Sequence, residues 1–312
     1  MSRRLSIVCT VIIFALVSEI SGCSSVSNST LVPLVGADAV RYHANPRHPW
    51  LYVAGLLSNT IAIYDLATFG TPQIGTISQG VSGPYGIAID GQGTLYVANE
   101  NTGNVTIYPA GTSAPSLTLS QGLTDPFGVA VDTNGDVYVT NPAPGAPDIV
   151  VYPQGQIAPS RTIKSSSLRA PNQLVFDSAR NLYICDSFTG VWEIPFSSQQ
   201  LTSLNLRGLV RPIAITIDPL DGDLFVSLFS GAGEVLVFAP GNVNAVRSLN
   251  NSEGADTLTV GKVGRVEEVF VPDSKSSIVH VFKHNQNNPK STINTPGAHY
   301  PFGVAFKPAG VP

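Results

Sequence analysis

One phrase recurs along the chain at nearly constant spacing, and it constrains the fold more than any other feature. The copies begin 41 to 45 residues apart, except that 89 residues separate the last two clear ones. They are PYGIAID at 84–90, PFGVAVD at 126–132, PNQLVFD at 171–177, PIAITID at 212–218 and PFGVAFK at 301–307, with a degenerate ADTLTVG at 255–261. This period is typical of a repeat protein whose unit is one small sheet.

Further strand-like phrases follow each copy. Six read as second strands and six as third strands, from LYVAG at 51–55 and TIAIYD at 60–65 to VFVPD at 269–273 and IVHVFK at 278–283. Weaker fourth strands such as SLTLS at 116–120 end the units. Asp and Gly between the first two strands, as in DGQG at 90–93, predict a tight turn. Four short strands per unit predict an all-β propeller with four-stranded blades.

The number of blades is set by how the ring closes. Six second and six third strands favour six blades. However, ADAVRYH at 37–43 also resembles a first strand, and together with 301–307 it would make seven. Either one blade is built from both termini, or a seventh or incomplete seventh blade exists.

The N-terminus has the pattern of an exported lipoprotein. Two arginines precede an apolar run over 5–17, which is too short to span a bilayer. The run leads to ISGC at 20–23, which resembles the bacterial lipobox. In that family the cysteine thiol takes a diacylglycerol, and cleavage before the cysteine then frees an amine that can also be acylated. We therefore predict a signal peptide over 1–22, a lipidated Cys23 with a tether over 23–36, and a propeller over 37–312.

Lipidation implies a location and a first partner. Acyl chains on Cys23 would hold the protein at a membrane of the cell envelope, on its extracytoplasmic side. Charged residues make up only 12% of the chain and the formal net charge is −4, so we expect no binding to nucleic acid. We expect a monomer, and we expect Cys185, within the apolar run LYICD, to be a buried core residue.

The repeat resembles the NHL repeat, most clearly in the unit PYGIAID-GQG-TLYVAN-ENTGNVTIYP. The resemblance covers roughly residues 37–307. NHL propellers are similar to those of gluconolactonase and regucalcin. The resemblance implies a propeller fold, but this fold carries binding scaffolds as well as lactonases, lyases and esterases.

In the lactonase relatives, the residue after the first-strand proline faces the channel, and a Glu, an Asn and an Asp there hold a divalent cation. The resemblance places Asn172 at the Asn position, whereas Ile213 stands where the Asp would be. Asp38 and Asp256 could substitute with carboxylate oxygens suited to calcium or magnesium. The alternative interpretation is that all three polar residues only hydrogen-bond turns or strand ends.

Two other residue types deserve a hypothesis. Tyr85, Phe127, Tyr300 and Phe302 would form an aromatic ligand-binding rim if they face the channel, or core filling if they pack between blades. His280 and His284 fall about 13 Å apart if the segment is a strand, which argues against one metal shared by this pair. His43 and His299 lie near the channel strands. Either could act as a base in a lyase-type site, and the alternative is that they only make ordinary hydrogen bonds.

These observations favour a membrane-tethered binding or scaffold propeller for a protein, peptide or glycan, without an assigned catalytic residue. The alternative is a metal-dependent lactonase, esterase or lyase with a channel site around Asn172. The sequence contains no Gly-x-Ser-x-Gly nucleophile elbow.

Overall fold

The computed structural model describes residues 45–229, 234–250 and 256–311. Cys23, Asp38, His43 and the strand-like segment 37–43 lie outside these residues. The described chain forms six antiparallel sheets of four strands each, so the all-β, six-bladed prediction is confirmed. No helix among the described residues is long and apolar enough to cross a membrane.

The first half of the described chain supplies eleven strands. In chain order they are β1 Trp50–Gly55, β2 Thr60–Asp65, β3 Gln73–Ile77, β4 Pro84–Ile89, β5 Leu95–Asn99, β6 Asn104–Tyr108, β7 Leu117–Leu119, β8 Val129–Val131, β9 Val137–Asn141, β10 Asp148–Tyr152 and β11 Arg161–Ile163. A single 3₁₀ turn, Glu100–Thr102, joins β5 to β6.

The second half of the described chain supplies thirteen more. They are β12 Pro171–Phe176, β13 Leu182–Asp186, β14 Gly190–Ile194, β15 Thr202–Ser203, β16 Pro212–Ile217, β17 Leu224–Leu228, β18 Val235–Phe238, β19 Arg247–Leu249, β20 Thr259–Val263, β21 Val266–Asp273, β22 Ile278–Lys283, β23 Ser291–Asn294 and β24 Pro301–Lys307.

The two ends of the described chain share one blade. Blade 1 has the order β24-β1-β2-β3, and blades 2 to 6 are β4–β7, β8–β11, β12–β15, β16–β19 and β20–β23. The segment PFGVAFK is therefore the inner strand of blade 1, and its Phe306 pairs with Leu51. This closure decides between the two predicted blade numbers in favour of six.

Apolar side chains pack between neighbouring sheets, which explains why one blade is not stable alone. Between blades 2 and 3, for example, Val105 and Ala98 of one sheet pack with Val139 and Val150 of the next. Cys185 is fully buried in the corresponding cluster of blades 4 and 5, so the core prediction for this thiol is confirmed.

The Asp-Gly turns after the inner strands form as the sequence predicts. Asp90 Oδ1 accepts hydrogen bonds from the backbone N–H groups of Gln92 and Thr94, at 2.8 and 2.9 Å. Gly93 has a φ of +78°, which a residue with a side chain rarely adopts. These turns lie at one face of the ring, and the starts of the inner strands lie at the other.

Candidate functional site

The inner strands surround a narrow central channel. It encloses about 230 Å³ and is lined by residues of all six inner strands, among them Ile87, Ala130, Leu174, Ile215, Thr259 and Ala305. Most of these residues are apolar by type, but the surface that faces the channel is mainly polar. We call the end at which the inner strands begin the channel mouth.

The residue after each first-strand proline lies at this mouth. In blades 1, 2 and 3 it is aromatic: Phe302, Tyr85 and Phe127. The Tyr85 ring lies 4.4 Å from Phe127 and 4.6 Å from Phe302, and the last two are 5.8 Å apart, measured between ring centroids. Three of the four predicted rim residues therefore converge from three successive blades.

Glycines allow this convergence. A Cβ atom on Gly86 would lie 2.5 Å from the carbonyl oxygen of Phe127 in the next blade, whereas the Gly86 N–H donates a 2.8 Å hydrogen bond to that oxygen. A Cβ atom on Gly303 or on Gly128 would likewise lie against a carbonyl oxygen of the next blade, that of Tyr85 or of Asn172. The repeated Pro-aromatic-Gly phrase thus supplies both the aromatic side chain and the glycine that allows its close contact with the next blade.

Two carboxylates that the sequence analysis did not select lie near enough to Tyr85 for their charges to raise the pKa of its hydroxyl. Glu100 begins the 3₁₀ turn after β5, and its backbone N–H donates to the Gly83 carbonyl at 3.0 Å. Asp125 precedes the Phe127 strand, and its backbone N–H donates to Asn141 Oδ1 at 2.9 Å. The position of Asp125 before Pro126, at the same end of the blade as the ring, is the sequence signal that would have found it.

The electrostatics of the mouth are acidic. Burial, followed by the charges of Glu100 and Asp125, raises the pKa of the Tyr85 hydroxyl to about 12, with smaller effects of Tyr300 and Asp256. Burial and then the charge of Asp125 raise the pKa of Glu100, and burial also raises that of Asp125. The mouth therefore favours a positively charged group beside its rings.

Tyr300, the fourth predicted rim residue, is half-buried in the loop before β24. It adopts a φ of +58°, and its carbonyl accepts a 3.1 Å hydrogen bond from the Leu56 N–H. Its effect on the pKa of Tyr85 places it near the cluster. Whether any of the four aromatic residues contacts a ligand stays a prediction.

Asn172 and Asp256 occupy the same ring of positions in blades 4 and 6. Blade 5 lies between them and contributes Ile213 at that position, as the sequence analysis noted. Asn172 is buried, and its Nδ2 donates to Ser187 Oγ, which donates to the Pro212 carbonyl at 3.1 Å. Their joint role in a metal site, with Asp38, stays a prediction.

Asp256 is only 2% exposed, and within the described part of the chain its Oδ2 has no hydrogen-bond partner. Burial raises its pKa to about 6, opposed by a hydrogen bond from Ser274. A half-satisfied carboxyl in this position is prepared to accept either a proton or a cation.

The histidines considered in the sequence analysis, apart from His43, lie at three different places in the described part of the chain. His280 lies in β22, buried, with its Nε2 3.7 Å from Asp273 Oδ2. His299 is exposed next to Tyr300. His284 follows β22 at the opposite face of the ring, near two aspartates.

A second concavity lies at the opposite face, between blades 4 and 5. It has a volume of about 480 Å³ and is lined by apolar side chains with a few polar ones, including Tyr183, Glu193, Leu204, Leu206 and Val243. Its lining includes the aromatic residues Phe176 and Tyr183. The channel mouth, where rings from three blades lie within 5.8 Å of one another, is the better candidate.

No family model and no curated protein sequence matches the chain. Among solved structures, a chain from the crystal structure of a nidogen/laminin complex is similar with a TM-score of 0.69 and 17% identity, over 84% of this chain and 99% of that one. A functionally unknown protein from Desulfotomaculum acetoxidans is similar with a TM-score of 0.56 and 14% identity, over 83% and 84%. At such identities the similarity shows the fold alone.

Proposed function

We propose that this chain is an extracytoplasmic binding propeller, held at a membrane by lipid on Cys23, whose channel mouth binds a basic side chain of a protein or peptide. The observation that carries the proposal is the convergence of Tyr85, Phe127 and Phe302 beside carboxylates. The anchor rests on the lipobox-like sequence at 20–23.

The chemistry of the mouth favours a cation. The face of an aromatic ring attracts an ammonium or guanidinium group by about 0.5–2 kcal/mol, more where water is excluded. Glu100 and Asp125 are half-buried beside the rings, so their charges are less screened than on an open surface. An arginine or lysine side chain would meet both kinds of partner at once.

A protein or peptide is the source of this cation that fits best. The solved structure with the higher TM-score comes from a complex of nidogen and laminin, that is, from a protein–protein assembly. A propeller presents the loops of all its blades at one face, which offers a broad surface around the central contact.

The first experiment uses two peptides that differ in one charge. Purified protein is titrated calorimetrically with Gly-Gly-Arg-Gly-Gly and with the same peptide carrying citrulline, which keeps the shape of arginine but not its charge. We expect the arginine peptide to bind at least about tenfold more tightly, because a tenfold change corresponds to about 1.4 kcal/mol. Phe127→Leu should remove most of this preference, since it removes the ring face.

The control variant is Phe69→Leu, a fully exposed phenylalanine in the loop between β2 and β3, at the opposite face. It should bind both peptides as the unaltered protein does. Equal binding of the two peptides, or a preference that survives Phe127→Leu, would refute the proposed role of the mouth.

The anchor is tested separately. Cells grown with labelled fatty acid should incorporate the label into the unaltered protein but not into Cys23→Ala, because this variant lacks the thiol that accepts the acyl chain. Label that is still incorporated into the variant, as measured after immunoprecipitation, would contradict lipidation of Cys23.

A second candidate function is the metal-dependent hydrolase or lyase with a site around Asn172. The observation in its favour is the buried Oδ2 of Asp256, which lacks a hydrogen bond within the described residues. Calcium, magnesium or manganese would then raise the melting temperature of the chelator-treated protein, and Asn172→Ala would abolish the rise. A rise that persists in this variant would reject the channel site.

A further inference from the structure

Three side chains that could bind a metal meet at the face opposite the channel mouth. Asp218 and Asp221 lie in the turn between β16 and β17 of blade 5, and His284 follows β22 of blade 6. One carboxylate oxygen of each aspartate and the histidine Nδ1 all lie within 4.8 Å of one another. The cluster therefore brings together residues of two neighbouring blades that are more than 60 residues apart in sequence.

Backbone hydrogen bonds orient both carboxylates. Asp218 Oδ1 accepts from the Leu220 N–H at 2.8 Å, and Asp221 Oδ1 accepts from the Asp223 N–H at 3.0 Å. The Oδ2 atoms that remain are the ones that face His284 Nδ1. Metal ligands in proteins are commonly held in this way, by hydrogen bonds to the atom that does not bind the ion.

The distances fit a shared cation better than a direct histidine–aspartate hydrogen bond. His284 Nδ1 lies 3.4 Å from Asp218 Oδ2 and 3.5 Å from Asp221 Oδ2, whereas the ordinary pair His48–Asp65 is 2.8 Å apart. Ligand atoms placed tetrahedrally about 2.1 Å from zinc are about 3.4 Å from each other. The two measured separations therefore match the edges of a zinc coordination polyhedron.

A buried oxygen points into the cluster. The side chain of Asp218 is fully buried, and its Oδ2 has no hydrogen-bond partner within the described part of the chain. A buried carboxylate oxygen without a partner is costly, and a bound cation would remove that cost. Asp221 and His284 are partly exposed, at 40% and 24% of their side-chain surface, so an ion can reach the site from solvent.

Charged groups of both signs surround the cluster. Asp218, Asp221 and Asp223 all raise the pKa of the Arg247 guanidinium, against the effect of burial. Arg247 donates hydrogen bonds to the carbonyl oxygens of His284 and Gln286. The three carboxylates attract a cation to the cluster, and Arg247, with Arg265 and Lys283 in the concavity beside His284, opposes that attraction.

We propose that Asp218, Asp221 and His284 bind one divalent transition-metal ion of the zinc type, with water completing the coordination on the solvent side. Nitrogen and carboxylate oxygen ligands together suit zinc, in contrast to the all-oxygen sites of calcium and magnesium. The ion would link blade 5 to blade 6. The site is independent of the channel mouth and of Asn172.

The test is zinc binding by the purified, tag-free protein after treatment with a chelator. Calorimetric titration with zinc should give one site per chain, and cobalt as a substitute should give the visible absorption of a tetrahedral nitrogen–oxygen site. His284→Gln and Asp221→Asn should each weaken zinc binding at least about 100-fold, since even outer-sphere partners are worth 10- to 100-fold. Both residues are partly exposed, so the variants should remain folded, as checked by circular dichroism.

His48→Gln is the matched control, because it removes a histidine that contacts an aspartate elsewhere in the ring. It should bind zinc as the unaltered protein does, and so should Asn172→Ala. An absence of stoichiometric zinc binding, or binding that His284→Gln leaves unchanged, would overturn the proposal.

Discussion

The inner-strand phrases of blades 1 to 3 differ from those of blades 4 to 6 at their second and third residues. In the first group the third residue of the strand phrase is glycine, and a Cβ atom there would collide with a carbonyl of the next blade. In the second group the same position holds Gln173, Ala214 and Thr257, so a side chain is accommodated. The three aromatic residues of the mouth occur only in the glycine group.

This difference shows that one half of the ring is specialised. Where glycine permits contact between backbones, the residues at the mouth are pushed together and their rings touch. In the other half Asn172, Ile213 and Asp256 occupy the mouth, and Thr257 Oγ1 bonds to the Phe302 carbonyl where blade 6 meets blade 1. The same repeat thus builds an aromatic half and a polar half.

The largest effect on stability should come from a methyl group added to a glycine of blades 1 to 3. Gly128→Ala would put a Cβ against the carbonyl oxygen of Asn172, backed by the Gln173 backbone. We expect a loss of more than about 3 kcal/mol in the free energy of unfolding, at the upper end for overpacked sites. Urea unfolding measures it.

Gly91→Ala is the control for this variant, because a Cβ there meets nothing within 4 Å. We expect it to change the stability by less than about 0.5 kcal/mol. A similar loss in both variants would show that close contact is not what distinguishes the glycine half.

The next largest effect on the free energy of unfolding should come from the carboxyl group of Asp256 in the polar half. Since burial raises the pKa of Asp256 from 3.8 to about 6, the folded protein binds this proton more tightly than the unfolded chain. Its contribution to stability is present below about pH 4 and is lost as the pH rises towards 6. Asp256→Asn, which keeps the acceptor for Ser274, should stabilise the protein at pH 8 by up to about 3 kcal/mol.

At pH 3.5 the gain from Asp256→Asn should vanish, because the carboxyl is then protonated in both states. Chemical unfolding at a series of pH values would reveal the window between 4 and 6. A gain that does not depend on pH would show that the ionisation of Asp256 is not its source.

The smallest expected effect on the free energy of unfolding concerns the contact between blades 6 and 1. Thr257→Val keeps the shape but removes the hydroxyl that bonds to the Phe302 carbonyl. We expect a loss of about 1 kcal/mol, the usual value of one such hydrogen bond. Thr118→Val, at an exposed position of β7, is the control and should be nearly neutral.

The fold was predictable from sequence because its information is local and repeated. Each copy of the inner-strand phrase carries its own alternation and turn, so even ADTLTVG at 255–261 could be assigned by its place in the period, although β20 begins only at Thr259. The closure by β24 could be anticipated as one of two choices. Choosing between them required the pairing of Phe306 with Leu51.

The candidate sites were predictable only where the repeat positions them. The converging rings share one motif position, so the sequence selected them. Glu100 and Asp125 stand outside the motif. The contact of His284 with Asp218 and Asp221 joins two blades, and no spacing along the chain encodes it.

The strand that completes blade 1 is also the last strand that the structure describes. A chain without β24 would leave β1 with an open edge of unpaired N–H and C=O groups, free to pair with another molecule. The ring can therefore close only once residues 301–307 are available, and this step joins segments far apart in sequence, which slows folding. A chain that lacks β24 would therefore be exposed to aggregation and proteolysis, in addition to having a lower free energy of unfolding.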